Sequence, residues 1–123
     1  FDDLHPRGAG AFTRVLRLYV REQKLLTLEQ AIHRMTGLSA QHMGFSERGV
    51  IRPGAYADLV LLDPATVADR ATTQAPGLLS EGIAKVWVNG QLVLERNTPT
   101  GSTPGRALRR ESSQAWSREK ATP

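Results

Sequence analysis

The sequence predicts an α+β chain in which helices come first and strands follow. Three observations carry that reading. A helical period runs through the first 45 residues, it disappears after Gly44, and an Asn-Gly dipeptide sits at 89–90 between apolar, largely β-branched runs. The two structural parts are expected to meet near residue 45.

The first helix is expected over roughly 10–24. Phe12, Val15, Leu16, Tyr19 and Val20 recur at helical spacing and define one apolar face, while Arg14, Arg17, Arg21 and Lys24 fall opposite and read as its solvated side. A second helix starts at Thr27, where Gln30 three residues later completes a capping-box pattern. Its stripe is Leu28, Ala31, Ile32 and Met35, and Gly37 is expected to stop it. Ser39 is placed as the cap of a short third helix that runs through Met43 and closes at Gly44. Pro53-Gly54 then fits a type II turn, with glycine at the position of positive φ. Leu59–Leu62 is a short, continuous apolar run bounded by Asp58 and Asp63-Pro64, the pattern of a strand buried on both faces. Residues 65–80 are polar with little periodicity. Asn89-Gly90 predicts a two-residue type I′ hairpin that pairs Val88 with Gln91, Trp87 with Leu92 and Val86 with Val93. Val86, Val88 and Val93 would share one face of it, and Trp87, Leu92 and Leu94 the other.

Composition sets the outer limits. At 40% hydrophobic and 23% charged residues over 123 positions, the chain is that of one globular unit. No apolar run approaches the roughly 20 residues of a membrane span, and the start lacks a secretory pattern. Without cysteine there is no disulfide or thiolate metal site. The net charge of +4 is concentrated in residues 101–123, where five basic side chains face two acidic ones. That leaves the rest nearly neutral, and the one aromatic of the tail, Trp116, makes no interleaved stacking pattern with the basic residues. The expectation is a cytoplasmic protein with neither nucleic acid nor membrane as partner, and with a solvated basic tail.

A hydrolytic metal site needs several His, Asp or Glu ligands around an open position. His5, His33 and His42 form no H-x-H or H-x-x-x-H pair, and His33 and His42 read as packing or surface residues. Asp58 and Asp63 bracket a strand, where short carboxylates bond backbone amides. No complete catalytic or metal-binding set is expected within this chain.

The stretch "GVIRPGAYADLVLLDP…GIAKVWVNGQLVLE" resembles the C-terminal strands of the amidohydrolase superfamily. "HPRGAGAFTRVLRLYVREQKLLTLEQAIHRMTGLSAQHMGF", "DPATVADRAT" and "TGSTPGRALRR" are similar to the N-acyl-D-amino-acid deacylases, or D-aminoacylases, within it. The resemblance implies a (β/α)8 barrel with a small β-sandwich beside it. Residues 1–45 would be the last barrel helices, 46–100 the C-terminal part of the sandwich, and 101–123 a polar basic tail. It implies a zinc enzyme that hydrolyses the amide of N-acylated D-amino acids. Its zinc ligands and its catalytic Asp, in a Ser-Asp-Gly motif, precede the matched region, so Asp2 and Asp3 are not given that role. The arginine of His-Pro-Arg, which grips the substrate carboxylate, maps onto Arg7. The family usually continues that motif with an aromatic residue and "GTFPRVL"; here Ala9, Ala11 and Thr13 stand at the departing positions. Taken this way, the chain is a C-terminal part that is inactive alone, needs the upstream barrel and sandwich segments, and can self-associate without them. The other readings are an amidohydrolase for a different linear or cyclic amide, or a non-catalytic folding or interaction module.

Overall fold

A computed structural model describes residues 5–109 of the chain. Three helical stretches lead into a four-stranded antiparallel sheet, so the α+β order holds. The first helix begins earlier than its period suggests. Helix α1 spans Arg7–Arg14, because Pro6 already lies in the right-handed helical region (φ −51°, ψ −29°) and its carbonyl accepts from the Gly10 N–H at 3.0 Å. Proline's fixed φ is pre-organised for a helix start, which offsets the poor helix propensity of Gly8 and Gly10.

From Val15 to Glu22 the helix widens to π geometry. The closing bond, Gln23 N–H to Leu18 O at 2.8 Å, is of the i→i+5 type. A face drawn at 3.6 residues per turn cannot continue through such a segment, and the expected face is corrected accordingly. Leu16 is buried, but Phe12 is 69% exposed. Conversely, Arg17 and Arg21 turn onto the segment at 64–69 instead of into solvent: Arg17 Nε donates to Asp69 Oδ1 at 2.7 Å, and Arg21 Nη1 donates to Val67 O at 2.8 Å.

Helix α2, Leu28–Met35, starts at the capping box its sequence predicts. Gln30 N–H donates to Thr27 Oγ1 at 3.2 Å, and Thr27 N–H donates to Gln30 Oε1 at 3.0 Å. Gly37 is not its stop. The break falls at Thr36 (φ −125°, ψ −87°), whose hydroxyl bonds back to Ile32 O, and Gly37 opens helix α3, Gly37–Met43. Ser39 lies inside α3 and donates to Arg34 O, so it is not a cap. Gly44, at φ 77°, closes α3 in the left-handed conformation.

The sheet runs β1 (Leu59–Leu62), β2 (Ile83–Val88), β3 (Gln91–Glu95) and β4 (Thr98–Pro99) in spatial order 1-2-3-4. Asn89 (φ 49°) and Gly90 (φ 79°) both take positive φ, as a type I′ turn demands. Val88 pairs with Gln91 and Trp87 with Leu92, but Val86 pairs with Leu94 because the register shifts beyond Trp87. One extra residue on β3 is a bulge; it sets Leu94, not Val93, on the face of Val86. The strand β1 is not buried on both sides either, since Val60 and Leu61 are 54% and 52% exposed.

Asp58 and Asp63 behave as turn carboxylates. Asp58 accepts from the Asn89 N–H at 2.8 Å, and Asp63 accepts from the Ala65 N–H at 2.9 Å. Arg48 ties the preceding loop to the hairpin: it pairs with Asp58, donates to Asn89 Oδ1 at 2.7 Å, and lies 4.1 Å from the Tyr56 ring centroid.

The core sits where the helices meet the 63–82 segment. Leu16, Ala31 and Val67 form its buried centre, flanked by Val20, Leu28, Ile32, Leu62 and Ile83. Gly82 makes the approach possible. At φ +77° a Cβ there would lie 2.4 Å from the Val67 N and Cα atoms, so no other residue fits without moving the backbone. Residues 101–109 have no regular structure, and the rest of the basic tail and Asp2 and Asp3 lie outside the described residues.

Candidate functional site

The site is built from the first turn of α1 upward. His5 Nδ1 accepts a hydrogen bond from the Arg7 backbone N–H at 3.1 Å, which puts the proton of the neutral imidazole on Nε2. Arg7 is the first residue of α1 and is exposed. Directly after it, Gly8, Ala9, Ala11 and Phe12 line one side of an open concavity of about 250 Å³. Leu79, Ser80, Ile83 and Leu94 line the other side. Two of the three departures from the resembling motif, Ala9 and Ala11, therefore form part of this wall, and the third, Thr13, lies at its floor.

The floor is a pair of buried hydroxyls. Thr13 Oγ1 and Ser80 Oγ lie 2.6 Å apart; Thr13 Oγ1 also bonds Gly10 O at 3.2 Å, and Ser80 Oγ donates to Ala9 O at 3.1 Å. Two hydroxyl protons thus serve three contacts, each proton shared or alternating between acceptors. Both residues are 8% exposed.

One turn deeper, the helix is held by charge. Asp69 accepts from Arg17 Nε, with Arg14 Nη1 3.7 Å from its other oxygen. Its side chain is only 8% exposed, so this is a largely desolvated carboxylate with two cations. The hydrogen bond from Arg17 holds its carboxyl below the usual carboxylate range, assisted by a backbone N–H and by the positive charge of Arg17 and Arg14, while burial opposes the shift. The same pair, with Glu22, raises the Arg17 guanidinium. Gly10 lets the two segments close up: a Cβ at this position would come within 3.0 Å of Asp69 Cβ.

Sequence reasoning gave Arg7 alone as a site residue; in the structure it precedes Gly8, the first of the lining residues, and is not itself one of them. That reasoning missed Thr13 and Ser80, which bond carbonyls of the turn behind Arg7, and Asp69, which holds Arg14 and Arg17 farther along the helix. The only signal for them was local: a Thr inside a helical period and two polar residues in a stretch with no period. His33 and His42 are exposed on α2 and α3. Among the described residues, no three His, Asp or Glu side chains cluster as metal ligands. These residues therefore do not fit a zinc site, and no catalytic step can be built through a metal on them.

Comparison with known proteins identifies the frame around this site. The profile of the amidohydrolase family matches residues 3–94. The chain belongs to the amidohydrolase family. Within it, the chain is 51% identical over 115 residues to an N-acyl-D-aspartate deacylase of Alcaligenes xylosoxydans xylosoxydans, covering 94% of this chain and 23% of the relative. A solved N-acyl-D-glutamate deacylase from Bordetella bronchiseptica, complexed with zinc and a phosphonate inhibitor that mimics the tetrahedral intermediate, is 63% identical with a TM-score of 0.71. That match covers 72% of this chain and 19% of the solved one. A D-aminoacylase variant in complex with copper chloride superimposes with a TM-score of 0.83 at 51% identity, over 86% of this chain and 22% of that one. The chain thus spans under a quarter of the length of the amidohydrolases it matches.

Proposed function

We propose that this chain is the C-terminal part of a zinc-dependent amidohydrolase that hydrolyses the amide bond of N-acyl-D-amino acids, and that Arg7 holds the substrate carboxylate. Residues 1–45 supply the last helices of a (β/α)8 barrel and residues 46–100 part of the adjoining β-sandwich, with 101–123 a polar tail. The observation that carries the reading is the 51% identity to an N-acyl-D-aspartate deacylase across 94% of the chain. An arginine is chemically suited to the role, since its planar fork makes two parallel charge-assisted bonds to a carboxylate. Barrel enzymes keep their chemistry at the loops that follow the strands, which is where a segment entering a final helix would stand.

In this reading the zinc ligands and the proton-transferring Asp lie outside the described residues, in a cytoplasmic enzyme, and the chain alone is inactive. Metal analysis of the dialysed chain with a deacylation assay tests that part. One tightly held zinc with turnover above blank would overturn it. Alone, the chain self-associates through its exposed apolar surface, β1 with Val60 and Leu61 foremost. Sedimentation over a concentration series checks this, and a monomer at every concentration counts against it.

Arg7→Lys in the whole enzyme tests the clamp. Lysine keeps the charge and loses the fork, so about 1.5–3 kcal/mol of transition-state binding is lost on a free-acid substrate. A neutral amide analogue should be spared, and an equal loss on both substrates would assign Arg7 to structure.

A further inference from the structure

We infer that Ser80 and Thr13 are positioning residues for Arg7: their hydroxyl pair pins the first turn of α1 to the 79–83 segment and so sets where the guanidinium reaches. The inference rests on the reading of Arg7 as the carboxylate clamp and extends it to two side chains that lie 67 residues apart in sequence.

Ser80 donates to the carbonyl of Ala9, two residues after Arg7, and Thr13 bonds the carbonyl of Gly10. Both acceptors lie in the first turn of α1, and a hydrogen-bonded turn moves nearly as a rigid body. A shift at Ala9 is therefore a shift at Arg7. The charged anchor lies farther along: Asp69 holds Arg14 and Arg17, about two to three turns beyond Arg7, so it fixes the axis of the helix but not its tip. The bond from the Arg7 N–H to His5 Nδ1 is local to the tip, and the approach of Gly10 to Asp69 is steric and has no direction. Bidentate recognition is demanding in angle as well as distance, so the directional bonds that cross between the segments, Ser80 to Ala9 O and Ser80 to Thr13, control it.

The surroundings indicate that removing one hydroxyl is tolerated by the fold. The pair sits at the floor of an open concavity, and the neighbouring Leu79 is 53% exposed. Water can therefore reach the carbonyl that loses its partner. What is lost is the fixed position of the turn, and the predicted signature is weaker carboxylate recognition with the chemical step retained.

The test uses the whole enzyme, with an N-acyl-D-amino acid and its neutral amide analogue as substrates. Ser80→Ala and Thr13→Val should each raise KM for the free acid about fivefold, leave kcat within about twofold, and leave KM for the amide unchanged. Thr13→Ser, which restores the hydroxyl, should recover most of the loss seen in Thr13→Val. In an Arg7→Lys background, Ser80→Ala should add no further discrimination between the two substrates, because the fork it positions is gone. Equal KM changes on both substrates, or a Thr13→Ser enzyme as impaired as Thr13→Val, would overturn the inference. Should Ser80→Ala not fold, the Thr13 variants carry the same comparison. If Arg7→Lys discriminates between the substrates and Ser80→Ala does not, the positioning role falls while the clamp stands. If Arg7→Lys does not discriminate, the clamp falls and the positioning role with it.

Discussion

The junction of the helices with the 63–82 segment and the four-stranded sheet are held by different means. Every buried residue among those described lies in the helices or between Val67 and Ser80; none lies in β1 to β4. The junction combines an apolar centre, an ion pair on the buried Asp69 carboxylate and the Thr13–Ser80 hydroxyls, and among the described residues its buried polar side-chain atoms all have partners within the chain. The sheet has its ladder bonds and cross-strand pairs, with side chains half-buried at best. A backbone ladder specifies register but excludes little water by itself, whereas a closed core does both. The difference teaches where the chain completes its own packing and where it offers surface to something else.

The contrast breaks most clearly at Leu16. Leu16→Ala removes a buried side chain from the centre of the junction and should cost about 2–5 kcal/mol, read as a lower urea midpoint for the chain. Asp69→Asn comes next, with a loss of about 1.5–3 kcal/mol at neutral pH, the usual worth of hydrogen bonds to a charged group. Its pH dependence sharpens the comparison. The folded Asp69 carboxyl titrates below its unfolded value, so its stabilisation is fully present above about pH 3.9 and is lost as pH falls through the folded value. Melting temperatures of wild type and Asp69→Asn should therefore converge on acidification; a constant gap from neutral to strongly acidic pH would refute the assignment.

Thr27→Ala should have a smaller effect, about 1 kcal/mol, because it removes one side of the capping box on an exposed helix start. At the sheet, Val60→Thr should change stability by no more than about 0.5 kcal/mol, since Val60 is half exposed. If Val60→Thr instead rivals Leu16→Ala in the isolated chain, β1 is already covered there, and the division between closed junction and open sheet is wrong. The same substitution should reduce self-association, which sedimentation would show.

The Asn89-Gly90 turn, the Thr27–Gln30 capping box and the Gly44 and Gly54 turns were legible because each depends on a few neighbouring residues with special φ or a short side chain. The family was legible too, through "HPR", "ADLVLLDP" and "VWVNG". The second hairpin, at Arg96-Asn97, was not, although both residues take positive φ. Arg-Asn is a weak turn signal, and the pairing of Leu94 with Pro99 and of Glu95 with Thr98 is what holds the turn closed.

Local sequence thus determined the order of elements, the start of α2, the end of α3 and the Asn89-Gly90 turn. Tertiary structure decided which faces are covered. The π-helical stretch Val15–Glu22 changed the period that a 3.6-residue reading assumes, and brought Arg17 and Arg21 onto a loop that has no period of its own. Asp69 and Ser80 gained their roles only through partners 52 and 67 residues away. Capping and turn chemistry are written within four or five residues of chain, whereas burial, pKa shifts and the anchoring of α1 arise between segments that sequence spacing does not bring together.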